Sequence, residues 1–463
     1  MYSSRTSHPI KQRQRGVALM IMLVIMVMGV VVFFVSSLSS TAIQIKRDEV
    51  TANALAQAKE ALIAFAVTVD LPSGDRPGDL PCPDNHPLGS AMEGTPSLSC
   101  NLPSERLGRL PWKKLKLPDL RDGSGERLWY AVSTNYVNDP RSVGNLNSDT
   151  LGTITVRDSL GNVTNDGSTA SGAVAIIIAP GAPLTRYDNL QQNRIAANYN
   201  DPLHYLDCTG NVTGVCNIED NADFADGSAT NGFILGRIKD ASSNVVVNDQ
   251  LLVVTQDNIM QDIQKRVAGE VKQCLIEYAA LPQNMGRYPW AIQPSDFPFY
   301  ANSSAKTFGR IPDTLFVQTC LNSGGNLTST PPNTNNCSAT PTTGMSNTLG
   351  PNCNIQYGTW WANWKEMVFY GLADAYKPNT GVPAANACNT AGACLTVSPD
   401  PLPNKKFVVI VAGKILTGLT QNRSGLINQR TSDNYLEAPN NSGLITFAQS
   451  GVSATFNDTV VFQ

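Results

Sequence analysis

The sequence predicts an α+β chain. A long N-terminal helix, transmembrane at its start and amphipathic beyond, packs on an antiparallel sheet, and this helix-and-sheet module is duplicated in tandem. Three observations carry the prediction. Val17–Val35 contains no polar side chain, an apolar helical stripe continues from it, and a series of stretches recurs in the same order in the two halves of the 463-residue chain.

As a helix, Val17–Val35 is about 28 Å long at 1.5 Å per residue, close to the ~30 Å of a bilayer core. Val17, Leu19, Ile21, Val24, Phe33 and Val35 belong to this apolar surface. Lys11, Arg13 and Arg15 precede it, and the first acidic residue is Asp48. That asymmetry keeps the basic flank cytoplasmic and puts the C-terminal bulk across the membrane. Val50, Ala54, Ala58, Leu62 and Phe65 then recur at helical steps, so one helix runs to about Ala66. A secretory signal peptide has a shorter apolar core and a small-residue cleavage site, for which only Ser37-Leu38-Ser39 offers itself. A plain signal anchor is the simpler alternative.

The internal matches fall on the pieces a core requires. Lys59–Ala66 matches Lys272–Ala279, Gly108–Pro111 matches Gly309–Pro312, and Glu126–Tyr136 matches Glu366–Tyr376. Val174–Ala179 matches Phe407–Ala412, Gln192–Arg194 matches Gln421–Arg423, and Tyr205–Asp207 matches Tyr435–Glu437. Asn248–Val254 matches the closing stretch from Asn457. The reading is a leader (1–16), a membrane helix (17–39), a first module (40–256) and a second module without a membrane segment (257–463). The second helix is expected over Asn258–Ala280, with one face in water. Strands are expected at Leu128–Val132, Thr153–Val156, Val174–Ile178 and Val245–Val254, then at Val368–Leu372, Phe407–Val411 and Thr459–Phe462.

Only 15% of residues are charged and the formal net charge is −3. No basic tract follows the leader, which excludes nucleic acid as a partner. The ten cysteines all lie beyond the apolar run. An even count on the oxidising side of a membrane predicts disulfides. Spacing pairs Cys82 with Cys100, Cys208 with Cys216, Cys388 with Cys394, and Cys337 with Cys353, leaving Cys274 and Cys320. Cys274 sits on an apolar helical face, where a buried thiol and a bridge are both open. Trp360, Trp361 and Trp364 form either a buried cluster or an exposed binding face.

No catalytic motif survives inspection, so the chain is not read as an enzyme. Gly413-Lys414 after a strand lacks the loop glycine and hydroxyl of a P-loop. His86 and His204 are loop histidines with no reactive serine nearby in sequence. No cofactor is expected. With no Cys-x-x-Cys and only three histidines zinc is set aside, and calcium remains, at Asp119, Asp122 and Glu126 or at Glu219, Asp220, Asp223 and Asp226, because closely spaced carboxylates in loops suit its six to eight oxygen ligands.

The basic leader ending at Gly16, followed directly by Val17 and an unbroken apolar helix, resembles the class III signal of type IV prepilins. The resemblance implies cleavage after Gly16 by a prepilin peptidase and methylation of the new N-terminus at Val17. The family usually carries a glutamate at the fifth mature position, and here that residue is Ile21. Its absence resembles certain minor pilins and the large tip pseudopilin of type II secretion. Asp122–Tyr130 is similar to the pseudopilin turn before a Tyr-bearing strand, without the aromatic at Ser124. Pseudopilins related to type II secretion bind calcium in loops. The resemblance thus implies a minor pilin or pseudopilin-like subunit of a type IV pilus or type II secretion-type fibre, at the tip or in initiation. Its expected partners are other pilins, the inner-membrane assembly platform and the peptidase. Its expected location is the bacterial inner membrane, single-pass, with the bulk periplasmic or on the surface in a fibre. The alternative is a membrane-anchored binding protein or adhesin that never assembles.

Overall fold

The structure, a computed structural model, describes residues 15–71, 75–138, 144–210, 214–216, 219–224, 227, 231–240, 242–281, 284–297, 306–312, 320–321, 327–328, 353, 360–378, 384, 388 and 392–463. Side chains are described for all of these except 15–19, 29–41, 320–321 and 327–328.

Helix α1 spans Arg15–Val67. Its last third is rich in alanine, the best helix former, and Ala54, Leu55, Ala58, Leu62 and Ala66 make its buried stripe. The first half continues with β1 Leu107–Arg109, β2 Trp129–Val132, β3 Val156–Arg157, β4 Val163–Asn165, β5 Ala173–Ala179, β6 Phe233–Ile234, β7 Ile238–Lys239, β8 Val245–Val247 and β9 Gln250–Thr255. Helix α2, Gln256–Ala280, follows β9 directly and opens with the Thr255 amide donating to Asn258 Oδ1 at 3.0 Å. Beyond it come β10 Phe308–Arg310, β11 Cys320–Leu321, β12 Leu327–Thr328, α3 Trp360–Trp364, β13 Val368–Leu372, β14 Leu395–Ser398, β15 Asp400–Lys405, β16 Phe407–Val411, α4 Leu426–Gln429, β17 Thr446–Ala448 and β18 Thr459–Phe462.

Two four-stranded antiparallel sheets dominate, ordered β1-β2-β5-β9 and β10-β13-β16-β18. Their central rows correspond. Gly108 faces Tyr130, which faces Ile177, which faces Leu252. Gly309 faces Tyr370, which faces Val409, which faces Val461. Each half adds a three-stranded sheet, β4-β3-β6 and β15-β14-β17, and each of these contains one parallel pair.

One continuous core spans both halves. It holds the α1 stripe, Ile259, Ile263, Val267 and Leu275 of α2, and the inner faces of both four-stranded sheets. The outer face of the first sheet has a core of its own, with Trp129, Ile176, Ile178 and Phe233. Burial on both faces is why Val174–Ile178 is apolar at every position rather than alternating.

Several expectations need correction. Among the described residues, no helix is long and apolar enough to cross a membrane. From Lys46 onward the helix carries charge. The pilin-like fold with a transmembrane helix over 17–39, and the single-pass inner-membrane placement that rested on it, are therefore set aside. What stands is a mixture of helices and antiparallel sheets. Helix α2 keeps one face in water, with Asn258, Gln261, Asp262, Lys265 and Gly269 exposed, while Met260, Ala268 and Glu270 are buried beside its core stripe and Glu270 is ion-paired to Arg266 at 2.6 Å. The expected strand Val245–Val254 is split at Asn248-Asp249, because the Asn248 amide turns to Asp207 Oδ2 at 2.7 Å instead of continuing a ladder.

Candidate functional site

Gly16 and Val17 lie in the first turn of α1, whose backbone continues through Leu19, Phe33 and Val35; the side chains of these four fall outside the described residues. Ile21 and Val24 are 55% and 51% exposed, and every residue from Met20 to Met28 is at least half exposed.

Among the described residues, the body grips the helix from about Arg47 and Asp48 onward. Asp48 Oδ1 accepts from Gln44 at 2.9 Å, Arg237 at 3.0 Å and Gln250 at 3.3 Å. Thr51 Oγ1 accepts from the Gly123 amide at 2.9 Å. Gly123 sits so close that an added Cβ would lie 2.2 Å from the Arg47 carbonyl oxygen. The turn is held by Asp122, whose Oδ1 accepts from the amides of Ser124 and Glu126 and whose Oδ2 accepts from Gly181 at 2.8 Å. Burial raises the Asp122 carboxyl above its ordinary range despite these bonds. Upstream of the grip, Ile43 and Ile45 are 55% and 64% exposed.

The two acidic stretches do not converge on one point. Asp119 pairs with Arg121 and Arg127, each at 2.8 Å. Burial pushes its carboxyl up, but the arginines outweigh this and hold it below the usual range. Glu126 pairs with Arg194 at 3.3 Å. Glu219 accepts from Thr209, Asp220 from Arg186 at 2.9 Å, and Asp223 from Asn231. Asp226 lies outside the described residues. The one acid-and-cysteine group among the described residues, Asp188 with Cys208 and Cys216, offers no thiolate, because those cysteines are bonded to each other.

Disulfides join Cys82 to Cys100, Cys208 to Cys216 and Cys388 to Cys394. Cys353 is bonded to Cys274 and not to Cys337, a correction that spacing could not supply across 79 residues. Cys337 and the side chain of Cys320 lie outside the described residues. Trp360, Trp361 and Trp364 are buried. His86 meets Asp84 at 2.9 Å, and His204 Nδ1 accepts from the Asn193 amide. Neither histidine contacts a serine in these bonds.

Sequence reasoning missed a pair of buried acids in each half. In the first, Asp249 Oδ2 accepts from the Asp207 amide at 2.8 Å and from Asn221 at 2.9 Å, while Gln192 donates to Asp207 Oδ1 at 2.9 Å. In the second, Asp458 Oδ2 accepts from the Glu437 amide at 3.2 Å and from Asn440 at 2.9 Å, while Gln421 donates to Glu437 Oε1 at 2.9 Å. Burial pushes Asp207 up to about 6. Burial first, and the neighbouring acid second, raise Asp249 and Asp458 well above the carboxylate range. The signal was present: polar residues recurring inside the matched stretches Tyr205–Asp207 and Tyr435–Glu437, and at Asn248 and Asn457. Comparison with protein families, with curated proteins and with solved structures finds no match to this chain.

Proposed function

We propose that this chain is a minor pilin- or pseudopilin-like subunit of a fibre of the type IV pilus or type II secretion kind, trimmed by a prepilin peptidase between Gly16 and Val17. The observation that carries the reading is the run Met20–Met28, a bare apolar segment continuous with a helix that is docked over its last third. An uncovered apolar surface of this kind marks an interaction site, and here equivalent helices of neighbouring subunits supply the cover. Ile21 offers no carboxylate to a neighbour's amino terminus, and the body carries two four-stranded sheets. Both features suit the end of a fibre better than its repeating lattice.

The test is the mature N-terminus. Co-expressed with a prepilin peptidase, the chain should begin at N-methylated Val17 by mass spectrometry, and Gly16→Leu should remain uncut. A chain that keeps Met1, or begins near Ser40, overturns the proposal.

A further inference from the structure

A cavity of about 490 Å3 opens at the seam between the halves, walled by Asn145, Asp149 and Leu151 of the first and by Glu366, Met367 and Arg423 of the second. The positive charge of this wall is already committed. Arg423 is 8% exposed, and its Nε donates to the Asn434 carbonyl at 2.8 Å. Its Nη1 donates to Asp149 Oδ1 at 2.7 Å and to the Gly413 carbonyl at 2.9 Å, and its Nη2 to the Tyr435 carbonyl at 3.3 Å.

The negative charge is not. Glu366 is only partly buried, and its Oε1 accepts from the Tyr435 hydroxyl. Among the described residues its Oε2 accepts from no group, and no cation pairs with this carboxylate. Arg310 passes nearby but gives its Nε to the Glu366 main-chain carbonyl at 3.0 Å. The Asp149 side chain, 33% exposed, meets Arg423 through Oδ1 and leaves Oδ2 open. Two accessible carboxylates against one saturated arginine give the wall a net negative charge.

The first half shows that this is no property of the repeat. Glu126 and Arg194, the counterparts of Glu366 and Arg423, pair with each other at 3.3 Å. In the second half, loop 144–151 draws the arginine away to Asp149, and Met367 stands where Arg127 does. Glu366 is thereby deprived of the counter-charge that its twin keeps.

These features define the ligand. A negative wall with its arginine occupied favours a cation over an anion. Each acid has one oxygen free, so neither can meet the two parallel N–H groups of a guanidinium, whereas an ammonium directs three donors to separate acceptors. Leu151 and Met367 offer apolar surface to an alkyl stem, as other proteins do to the stem of lysine.

We propose that the seam cavity binds the ammonium group of an alkylamine, supplied by a free amine or by a lysine side chain of a partner protein. This proposal does not depend on fibre assembly. Titration calorimetry on the full chain at neutral pH compares n-butylamine, Nα-acetyl-lysine N-methylamide, n-butylguanidine and 1-butanol. The tighter of the two amines should bind with a Kd of about 1 mM or below, and the guanidine and the alcohol at least about tenfold more weakly. Tighter binding of the lysine amide assigns the site to a protein partner, and tighter binding of butylamine to a free amine. Glu366→Gln keeps an oxygen for the Tyr435 hydroxyl and should weaken amine binding at least about tenfold. Glu126→Gln, its counterpart in the first half, should leave binding unchanged. Leu151→Trp, at a position 37% exposed, should block the cavity without touching the Arg423 bonds. Circular dichroism checks that the variants fold. No binding of either amine at roughly 10 mM, equal binding of the guanidine or the alcohol, or undiminished binding in folded Glu366→Gln or Leu151→Trp overturns the proposal.

Discussion

Arg109 in the first half and Arg310 in the second stand at the same place, at the end of the edge strand of a four-stranded sheet. Each guanidinium is buried among rings: Arg109 lies 4.3 Å from Trp129 and 4.0 Å from Tyr205, and Arg310 lies 4.9 Å from Phe369 and 4.8 Å from Tyr435. Each donates to a main-chain carbonyl, Tyr199 in one half and Gln429 at the end of α4 in the other. The main chain beside them differs. Asp84 bridges Arg109, and Ile292 bridges Arg310, but the neighbouring glycines meet different obstacles. A Cβ on Gly108 would strike Asn85 Oδ1 at 2.1 Å and Pro83 Cβ at 2.9 Å, both side-chain atoms. On Gly309 it would strike the Ile292 carbonyl oxygen at 1.7 Å, with φ at +153°. The same position is thus confined by side chains, Asn85 and the Pro83 ring, in one half and by backbone in the other. Matching sequence conserves the geometry of the ring cage more closely than the tolerance around it.

The sharpest test of that contrast is the largest effect expected. Gly309→Ala should destabilise the protein by more than ~4 kcal/mol or prevent folding, because a carbonyl already bonded to the Arg310 amide cannot retreat. Gly108→Ala should lose roughly 1–3 kcal/mol as Asn85 reorients. Urea midpoints measured on both variants decide it. Equal losses would mean that the two edges are equally constrained.

The buried acids come next, and here the halves should behave alike. A carboxyl whose folded pKa is raised stabilises the fold while protonated, and that contribution is lost as pH rises through the folded value. For Asp207, raised to about 6, the window runs from about pH 4 to about 6 and is worth on the order of 3 kcal/mol. Asp249 and Asp458, raised further, extend the loss to higher pH. Stability should therefore fall as pH rises from 4 through 6 and beyond. Asp249→Asn and Asp458→Asn, neutral at every pH, should each flatten that slope. A slope unchanged in both variants would remove these pairs as its cause.

Much of the fold was legible where one physical rule acts alone. The apolar runs Val368–Leu372 and Phe407–Val411 coincide with strand limits, since burial of both faces leaves no room for polar residues. Helix α2 followed from its periodicity, although it is more deeply covered than one stripe implies. It packs on α1, β16 and β18, and loop 144–151 of the first half adds to that cover: Ser148 accepts from Gln256 and Gln264 and donates to Ala412, while Asn363 accepts from Leu146. Such contacts join residues distant in sequence and leave no local pattern. The Cys274–Cys353 bridge was hidden for the same reason. At the start of α1, composition alone predicted a membrane span, whereas among the described residues no helix is long and apolar enough to make one.

The smallest effect tests how α1 leaves the body, where the halves differ most. In the first half Asp48 is tied to Arg237, with 45% and 44% of these side chains exposed. In the second half the aligned residue, Gln261, is uncharged. Exposed pairs of this kind contribute roughly 0.2–1 kcal/mol, because solvent screens them and both side chains lose freedom. Arg237→Ala should therefore leave the urea midpoint nearly unchanged. Its effect should be local. Gln44 and Gln250 still hold Asp48, and Gly123 still binds Thr51, so the helix stays docked below Thr51 while its first anchored turn loosens. Hydrogen exchange should rise over residues 42–48 and remain unchanged over 54–66, where Ala54, Ala58 and Leu62 bury the stripe. Faster exchange spreading through Leu62 would show that Arg237 secures the whole helix. No change at 42–48 would show that the Gly123 turn alone sets the point of departure.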